Sequence, residues 1–149
     1  MNRFLVLVSF AAIGVGVHYE TRAVAPAVVR QQLQPPPAEA AARGRLLYQT
    51  YGCGVCHGAD AKGGFANLNS ETEGKVPGLT KVKEGYLERE LVQKILDGAP
   101  HVGKADAKGP TPPYRMPGWK DRMTRAEATD LAKYLVSLYP KDAAKDSWR

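Results

Sequence analysis

The sequence Cys53-Gly54-Val55-Cys56-His57 has the spacing C-x-x-C-H and contains both cysteines of the chain. This spacing is typical of the covalent attachment of a c-type haem. The two thiols can form thioethers with the vinyl groups of the porphyrin, and the adjacent histidine lies close enough for its imidazole to bind the iron. The motif therefore predicts one covalent haem on Cys53 and Cys56, with His57 as the proximal iron ligand.

Two other kinds of site use the same pair of cysteines. A thioredoxin-like redox site also contains C-x-x-C, but it requires a strand–helix setting and has no role for the histidine. A structural zinc site needs two more soft ligands, whereas the chain has only 2 cysteines and its other histidines, His18 and His101, are isolated. A surface C-x-x-C without any of these roles occurs in ordinary proteins. The presence of both cysteines in one C-x-x-C-H motif favours haem.

Length and charge limit the remaining classes of function. The chain has 149 residues, room for one domain plus an appendage, and a formal net charge of +6. Residues 1–38 contain three arginines and one glutamate, +2, so the remainder carries +4. This charge suits an acidic protein partner or an anionic membrane surface. Nucleic acid is not an expected partner, because the lysines are spread singly and no motif of that class is present.

The N-terminus has the pattern of an export signal. A basic start at Arg3 precedes an apolar run from Phe4 to Val17, the length of a signal-peptide core and short for a full span. Ala23-Val24-Ala25 offers an A-x-A cleavage site, but Pro26 follows it and the site lies well beyond the run. We predict that residues 1–23 form an uncleaved transmembrane anchor helix. The protein is then a single-pass protein of the inner membrane with its other residues in the periplasm.

Residues 24–38 are predicted to be a proline-rich linker. Pro35, Pro36 and Pro37 are consecutive and favour an extended polyproline conformation rather than a helix interior. Such a segment is a semi-rigid spacer of about 3 Å per residue. A disordered leader is the alternative interpretation of the same composition.

Residues 39–149 are predicted to form one all-α domain with three main helices. Apolar residues at helical spacing define the first helix, which begins at Glu39 and leads into the motif, and the second, from Tyr86 to Asp97. The third begins at Thr124 with a capping box and ends at Pro140. The apolar positions that define these helices are Gly44, Leu47, Tyr48 and Tyr51; Leu87, Leu91, Ile95 and Leu96; and Ala128, Leu131, Leu135 and Leu138.

The motif order and the helix order together resemble the class I monohaem cytochrome c family. The resemblance covers about residues 39–140, and its strongest matches are residues 53–58, Cys-Gly-Val-Cys-His-Gly, and Arg115-Met116-Pro117. It implies a cytochrome c fold of three helices around one covalent haem. It further implies that Cys53 and Cys56 attach the haem and that His57 and Met116 are the axial iron ligands.

Further residues match this family with less specific motifs. Pro77 matches a proline whose backbone carbonyl orients the histidine. Gly44 and Tyr134 match a close crossing of the first and last helices. Trp119 matches a residue whose indole N–H reaches a haem propionate, although packing in the core is an equal alternative for it.

Two other residues compete with Met116 for the sixth iron position. Met123 precedes the last helix and can instead fill the core, which is the commoner role of methionine. His101 would give a bis-histidine iron of lower potential. Met116 is favoured because it lies in a loop rich in proline and glycine, where a purely packing role is less natural.

A haem iron with two protein ligands has no open position for a substrate, so we expect an electron carrier and not an enzyme. The anchor suggests a tethered subunit of a respiratory or photosynthetic complex that exchanges electrons with a soluble carrier. The alternatives are a cytochrome subunit of a periplasmic dehydrogenase, a freely diffusing periplasmic cytochrome c, and a haem sensor or peroxidase-like enzyme with a labile Met116. Six lysines could surround the haem edge and attract an acidic partner: Lys62, Lys75, Lys81, Lys83, Lys104 and Lys120.

Overall fold

A computed structural model describes residues 37–142, which contain five helices. They are α1 (Pro37–Thr50), α2 (Gly54–His57), α3 (Val82–Gly85), α4 (Glu88–Asp97) and α5 (Arg125–Ser137). These residues form no strand, and three isolated antiparallel bridges join their loops: Ala66 to Lys75, Ser70 to Lys104, and Ala99 to Met116. The predicted all-α class is confirmed for the described part of the chain.

The predicted anchor, residues 1–23, lies outside the described residues, as do residues 24–36 of the predicted linker and the tail from residue 143. Within 37–142, every helix is too short or too polar to cross a bilayer.

Helix α1 begins at Pro37, two residues before the predicted start at Glu39. Proline is well suited to the first turn of a helix, because the N–H that it lacks would have no partner within the helix there. The buried residues of α1 are Ala40, Gly44 and Tyr48, which recur every four residues and therefore share one face. This face packs against α5.

Helices α1 and α5 cross at Gly44, as predicted from the sequence. A β-carbon at Gly44 would lie 2.7 Å from Cβ of Tyr134 and would overlap the backbone carbonyl oxygen of Asp130. The Asp130 carboxylate accepts two hydrogen bonds from the Arg43 guanidinium, at 2.7 and 3.0 Å. Beside the crossing, the rings of Tyr48 and Tyr134 meet edge to face with centroids 5.6 Å apart. Only a residue without a side chain allows this approach of the two backbones.

Helix α4 begins at Glu88 and not at the predicted Tyr86. Tyr86 has an extended backbone that ends α3, and Leu87 is the N-cap residue, its backbone N–H donating to the Glu90 carboxylate at 3.0 Å. Leu87 is consequently 53% exposed, so the prediction that it belongs to the buried face was wrong. The buried face of α4 consists of Leu91, Val92, Ile95 and Leu96.

Helix α5 begins with the predicted capping box. The Thr124 hydroxyl accepts the Glu127 N–H at 3.2 Å, and the Glu127 carboxylate accepts the Thr124 N–H at 2.8 Å. The helix ends at Ser137, before Pro140, because a proline disfavours helical backbone in the residue that precedes it. Its buried residues are Ala128, Leu131, Ala132 and Leu135, which form the core together with residues of α1 and α4.

The close crossing of α1 and α5 gives a first testable prediction. Gly44→Ala forces the two helices apart and should lower the free energy of unfolding by about 1–3 kcal/mol, as overpacking in a core usually does. Gly85→Ala is the matched control, because a β-carbon at Gly85 has no heavy atom within 4 Å. Thermal unfolding of the haem-loaded variants measures both. Equal melting temperatures of the two variants would contradict the close crossing.

Candidate haem-attachment site

The two cysteines and His57 lie on a single turn of helix. Helix α1 ends at Thr50, and Gly52 follows with a φ of +68°, which suits glycine. Helix α2 comes next, and the His57 N–H donates to the Cys53 carbonyl at 3.0 Å. Residues at positions i, i+3 and i+4 of a helical turn share one side, so both thiols and the imidazole face the same region. Tyr48 fixes the end of this turn, because its hydroxyl donates to the Gly58 carbonyl at 2.7 Å.

The environment of the thiols argues against the two alternative sites. Neither cysteine is in a disulfide, and burial raises the pKa of the Cys53 thiol. A thioredoxin-like site needs the opposite shift, because its attacking cysteine must be a thiolate. Among residues 37–142, no cluster of three or more histidine, cysteine, aspartate or glutamate side chains could hold a metal ion such as zinc.

His57 is oriented by the backbone of Pro77. Its Nδ1 lies 2.9 Å from the Pro77 carbonyl oxygen. Since a carbonyl oxygen only accepts, Nδ1 carries the hydrogen and the lone pair of Nε2 remains available to a metal. This is the contact that the resemblance implied for Pro77.

Glycines bring the Pro77 carbonyl to His57. The N–H of Gly63 donates to the His57 carbonyl at 2.7 Å, and Gly63 has a φ of +73°. A β-carbon at Gly63 would lie 2.6 Å from the Pro77 carbonyl carbon and 2.7 Å from the Val76 carbonyl oxygen. The absence of that carbon lets the two segments pack backbone to backbone.

Met116 lies at the end of the long loop 99–115, against the C-terminus of α4. Its carbonyl accepts the Ala99 N–H at 2.9 Å, and the chain after it is fixed by the Trp119 N–H, which donates to the Leu96 carbonyl at 2.8 Å. Gly98 permits this contact, because a β-carbon there would lie 2.6 Å from the Met116 carbonyl oxygen. The Met116 side chain is half-buried and packs against the core.

The other candidates occupy different environments. Met123 is 4% exposed and is an ordinary member of the core, whereas His101 lies on the surface. Trp119 is half-buried, and its ring meets that of Tyr51 edge to face at 5.3 Å. The Tyr51 hydroxyl in turn donates to the Arg122 carbonyl at 2.8 Å. Trp119 thus packs against Tyr51 and the core, and the predicted contact of its indole N–H with a haem propionate stays a prediction.

Three side chains that the sequence did not single out hold the loop 99–115 in place. Asn67 pairs with the backbone of Tyr114, and Asn69 bonds to backbone groups of Asp106 and Pro110. The Glu71 carboxylate accepts the Gly103 N–H at 3.3 Å. The three residues stand at alternate positions, but Ser70 and Thr72 are polar as well, so no alternation of polarity singled them out in the sequence.

Among residues 37–142, three of the six predicted docking lysines have partners. Lys62 lies 4.0 Å from the Asp60 carboxylate, Lys104 donates to the Gly109 carbonyl at 2.9 Å, and Lys83 lies 5.3 Å from the centre of the Tyr139 ring. These contacts are at the surface and leave the positive charges accessible to solvent.

The donor set and its surroundings fit a covalently attached haem. Two unpaired thiols and an oriented imidazole come from one turn, and a thioether comes from a separate loop. Half-buried apolar side chains from several segments pack against the same core and could cover the faces of a porphyrin: Tyr51, Leu79, Val82, Met116 and Trp119. The fold and the site together define a small helical c-type haem protein.

Comparison with known proteins agrees with this class. The family model described as Cytochrome c matches residues 41–139, so the chain belongs to the cytochrome c family. Searches of curated proteins and of solved structures gave no significant match. As a member of this family the chain binds haem c covalently through Cys53 and Cys56 and functions in haem-based electron transfer.

The backbone packing behind His57 gives a second prediction. Gly63→Ala pushes the Pro77 peptide away from His57, which weakens the hydrogen bond to Nδ1 and lowers the basicity of the imidazole. A less basic ligand stabilises the ferric state less, so the reduction potential should rise. Redox titration of the haem-loaded protein measures this change.

Gly64→Ala is the matched control for that variant. Gly64 also has a positive φ, +95°, but a β-carbon on it meets no heavy atom within 4 Å. Both variants therefore carry backbone strain, of about 1–2 kcal/mol, and only Gly63→Ala disturbs Pro77. A potential that moves equally in both variants would show that strain and not the Pro77 contact is responsible.

Proposed function

We propose that this chain is a membrane-tethered one-electron carrier in which His57 and Met116 are the two axial ligands of the haem iron. When bound, the haem supplies a ferric–ferrous couple. The protein holds the ligands, excludes water from the iron and limits exchange to the exposed haem edge. The main support for the proposal is the hydrogen bond from Nδ1 of His57 to the Pro77 carbonyl, at 2.9 Å. Because Nδ1 carries the hydrogen, the lone pair of Nε2 is available to bind iron.

The environments of the methionines support Met116 as the second ligand. Met123 is 4% exposed and surrounded by core residues, so its sulfur already has a packing role. Met116 is half-buried on a loop whose backbone is fixed on both sides, which is what a ligand of fixed geometry requires. A thioether ligand gives a higher potential than a second histidine such as His101.

The N-terminal sequence supports the tether. The apolar run from Phe4 to Val17 after Arg3 suits an anchor in the inner membrane, with the haem domain in the periplasm. A short proline-containing linker then keeps the haem near the membrane and raises its effective concentration at a membrane partner. Such a protein suits a subunit of a respiratory or photosynthetic complex that exchanges electrons with a soluble carrier.

Substitution of the two methionines tests the ligand set. Met116→Leu should abolish the near-infrared methionine–iron band, lower the reduction potential and allow cyanide to bind at once. Met123→Leu is the control, because a change that conserves volume in the core usually costs less than about 1.5 kcal/mol and leaves the iron ligands in place. Loss of the band in Met123→Leu, with the band retained in Met116→Leu, would show that Met123 and not Met116 is the second ligand.

Fractionation of cells that express the full chain tests the tether. The haem protein should remain in carbonate-washed inner membranes, begin at its original N-terminus by mass spectrometry and co-migrate with other redox proteins after mild solubilisation. A soluble periplasmic form that begins near Pro26 would instead identify a cleaved leader and a freely diffusing carrier.

A further inference from the structure

We propose that Asn67 is a positioning residue for Met116, and that residues 64–77, here called the bracing hairpin, hold both iron ligands in place. This inference rests on the ligand set proposed above. Asn67 is 4% exposed, and its side-chain amide pairs with the backbone of one residue in the methionine loop. Nδ2 donates to the Tyr114 carbonyl at 3.1 Å, and Oδ1 accepts the Tyr114 N–H at 3.0 Å. The amide thus holds the backbone of Tyr114 in the way that a paired strand would.

The bracing hairpin gives Asn67 a fixed position. The Asn67 N–H donates to the Gly74 carbonyl at 2.7 Å, and the Asn67 carbonyl accepts the Ser70 N–H at 3.1 Å. Ser70 is fully buried, and its carbonyl accepts the Gly74 N–H at 3.1 Å. A buried amide with both its backbone and its side chain bonded has little freedom to turn.

The other end of the bracing hairpin reaches the proximal histidine. Its base is closed by the Gly64 N–H, which donates to the Val76 carbonyl at 2.9 Å, and by the Val76 N–H, which donates to the Phe65 carbonyl at 2.7 Å. The next residue, Pro77, accepts the hydrogen bond from His57 at 2.9 Å. One short segment therefore bonds to the histidine ligand at one end and to the methionine loop at the other.

Met116 is held on both sides along the chain. Tyr114, two residues before it, is fixed by Asn67, and the Met116 carbonyl itself accepts the Ala99 N–H at 2.9 Å. The Tyr114 ring also meets Phe65 of the bracing hairpin edge to face, with centroids 5.1 Å apart. Removal of the Asn67 amide leaves the N–H and the carbonyl of Tyr114 without these partners. The segment that precedes Met116 is then no longer fixed.

Asn69 provides a matched control within the same hairpin. Its side chain makes three hydrogen bonds to the loop, to the Asp106 carbonyl at 3.1 Å, the Pro110 carbonyl at 2.6 Å and the Asp106 N–H at 2.8 Å. These contacts lie six and ten residues before Met116. Asn69 has a φ of +60°, so Asn69→Gly removes the amide without backbone strain. Both variants loosen the loop, but only a change at Asn67 acts next to the ligand.

Titration with imidazole, followed in the visible spectrum of ferric holoprotein, tests this inference. Imidazole binds after Met116 has left the iron, so its apparent dissociation constant is inversely proportional to the fraction of protein in which Met116 is detached. Asn67→Ala should lower that constant about thirtyfold, the effect of losing two typical hydrogen bonds. It should also weaken the near-infrared band and lower the reduction potential, while Asn69→Gly stays within about twofold of the unaltered protein.

Asn67→Asp covers the case in which Asn67→Ala yields no holoprotein. It keeps the size and the acceptor for the Tyr114 N–H, loses the donor to the Tyr114 carbonyl, and should change imidazole binding in the same direction. Unaltered imidazole affinity in the Asn67 variants, or an equal change in Asn69→Gly, would overturn the positioning role. A failure of the ligand set is seen separately, because the unsubstituted protein would then lack the near-infrared band, or Met116→Leu would keep it.

Discussion

The hydrogen bond between Nδ1 of His57 and the Pro77 carbonyl is the interaction on which the site depends. It fixes one tautomer and one ring orientation, and it leaves Nε2 as the nitrogen that can bind iron. Its geometry has a backbone cause, because Gly63 and Gly78 let residues 61–63 and 76–78 pack without intervening side chains. The tautomer and the orientation of the His57 ring thus depend on two glycines that act only through backbone packing.

The helices and the loops have separate roles in this domain. Helices α1, α4 and α5 form the core, and α1, which crosses α5 closely at Gly44, leads into the motif. Loops supply the proposed ligand Met116 and the carbonyl that orients His57. The bracing hairpin connects these two loop regions, so the positions of the two ligands are not independent. Residues 64–77 thus contact both the loop that carries Met116 and, through Pro77, the His57 imidazole.

Local patterns in the sequence predicted the helices and the covalent site well. C-x-x-C-H, the Thr124–Glu127 capping box and the apolar faces all depend on residues close in sequence. The start of α4 was placed too early, because the apolar Leu87 fits the periodicity although it serves as the N-cap. The pairing of Asn67 with Tyr114 was not predicted. It joins two irregular loops through residues 47 positions apart, and local sequence periodicity does not predict such a contact.

Nuclear magnetic resonance tests the proposal that Met116 is the second protein ligand of the haem iron. In ferrous holoprotein with methyl-labelled methionine, the ring current of the porphyrin should shift the methyl signal of an axial methionine far upfield. We expect this shift for Met116, assigned through its loss in Met116→Leu, and an ordinary position for Met123. An upfield signal from Met123, or no such signal in the unsubstituted protein, would contradict it.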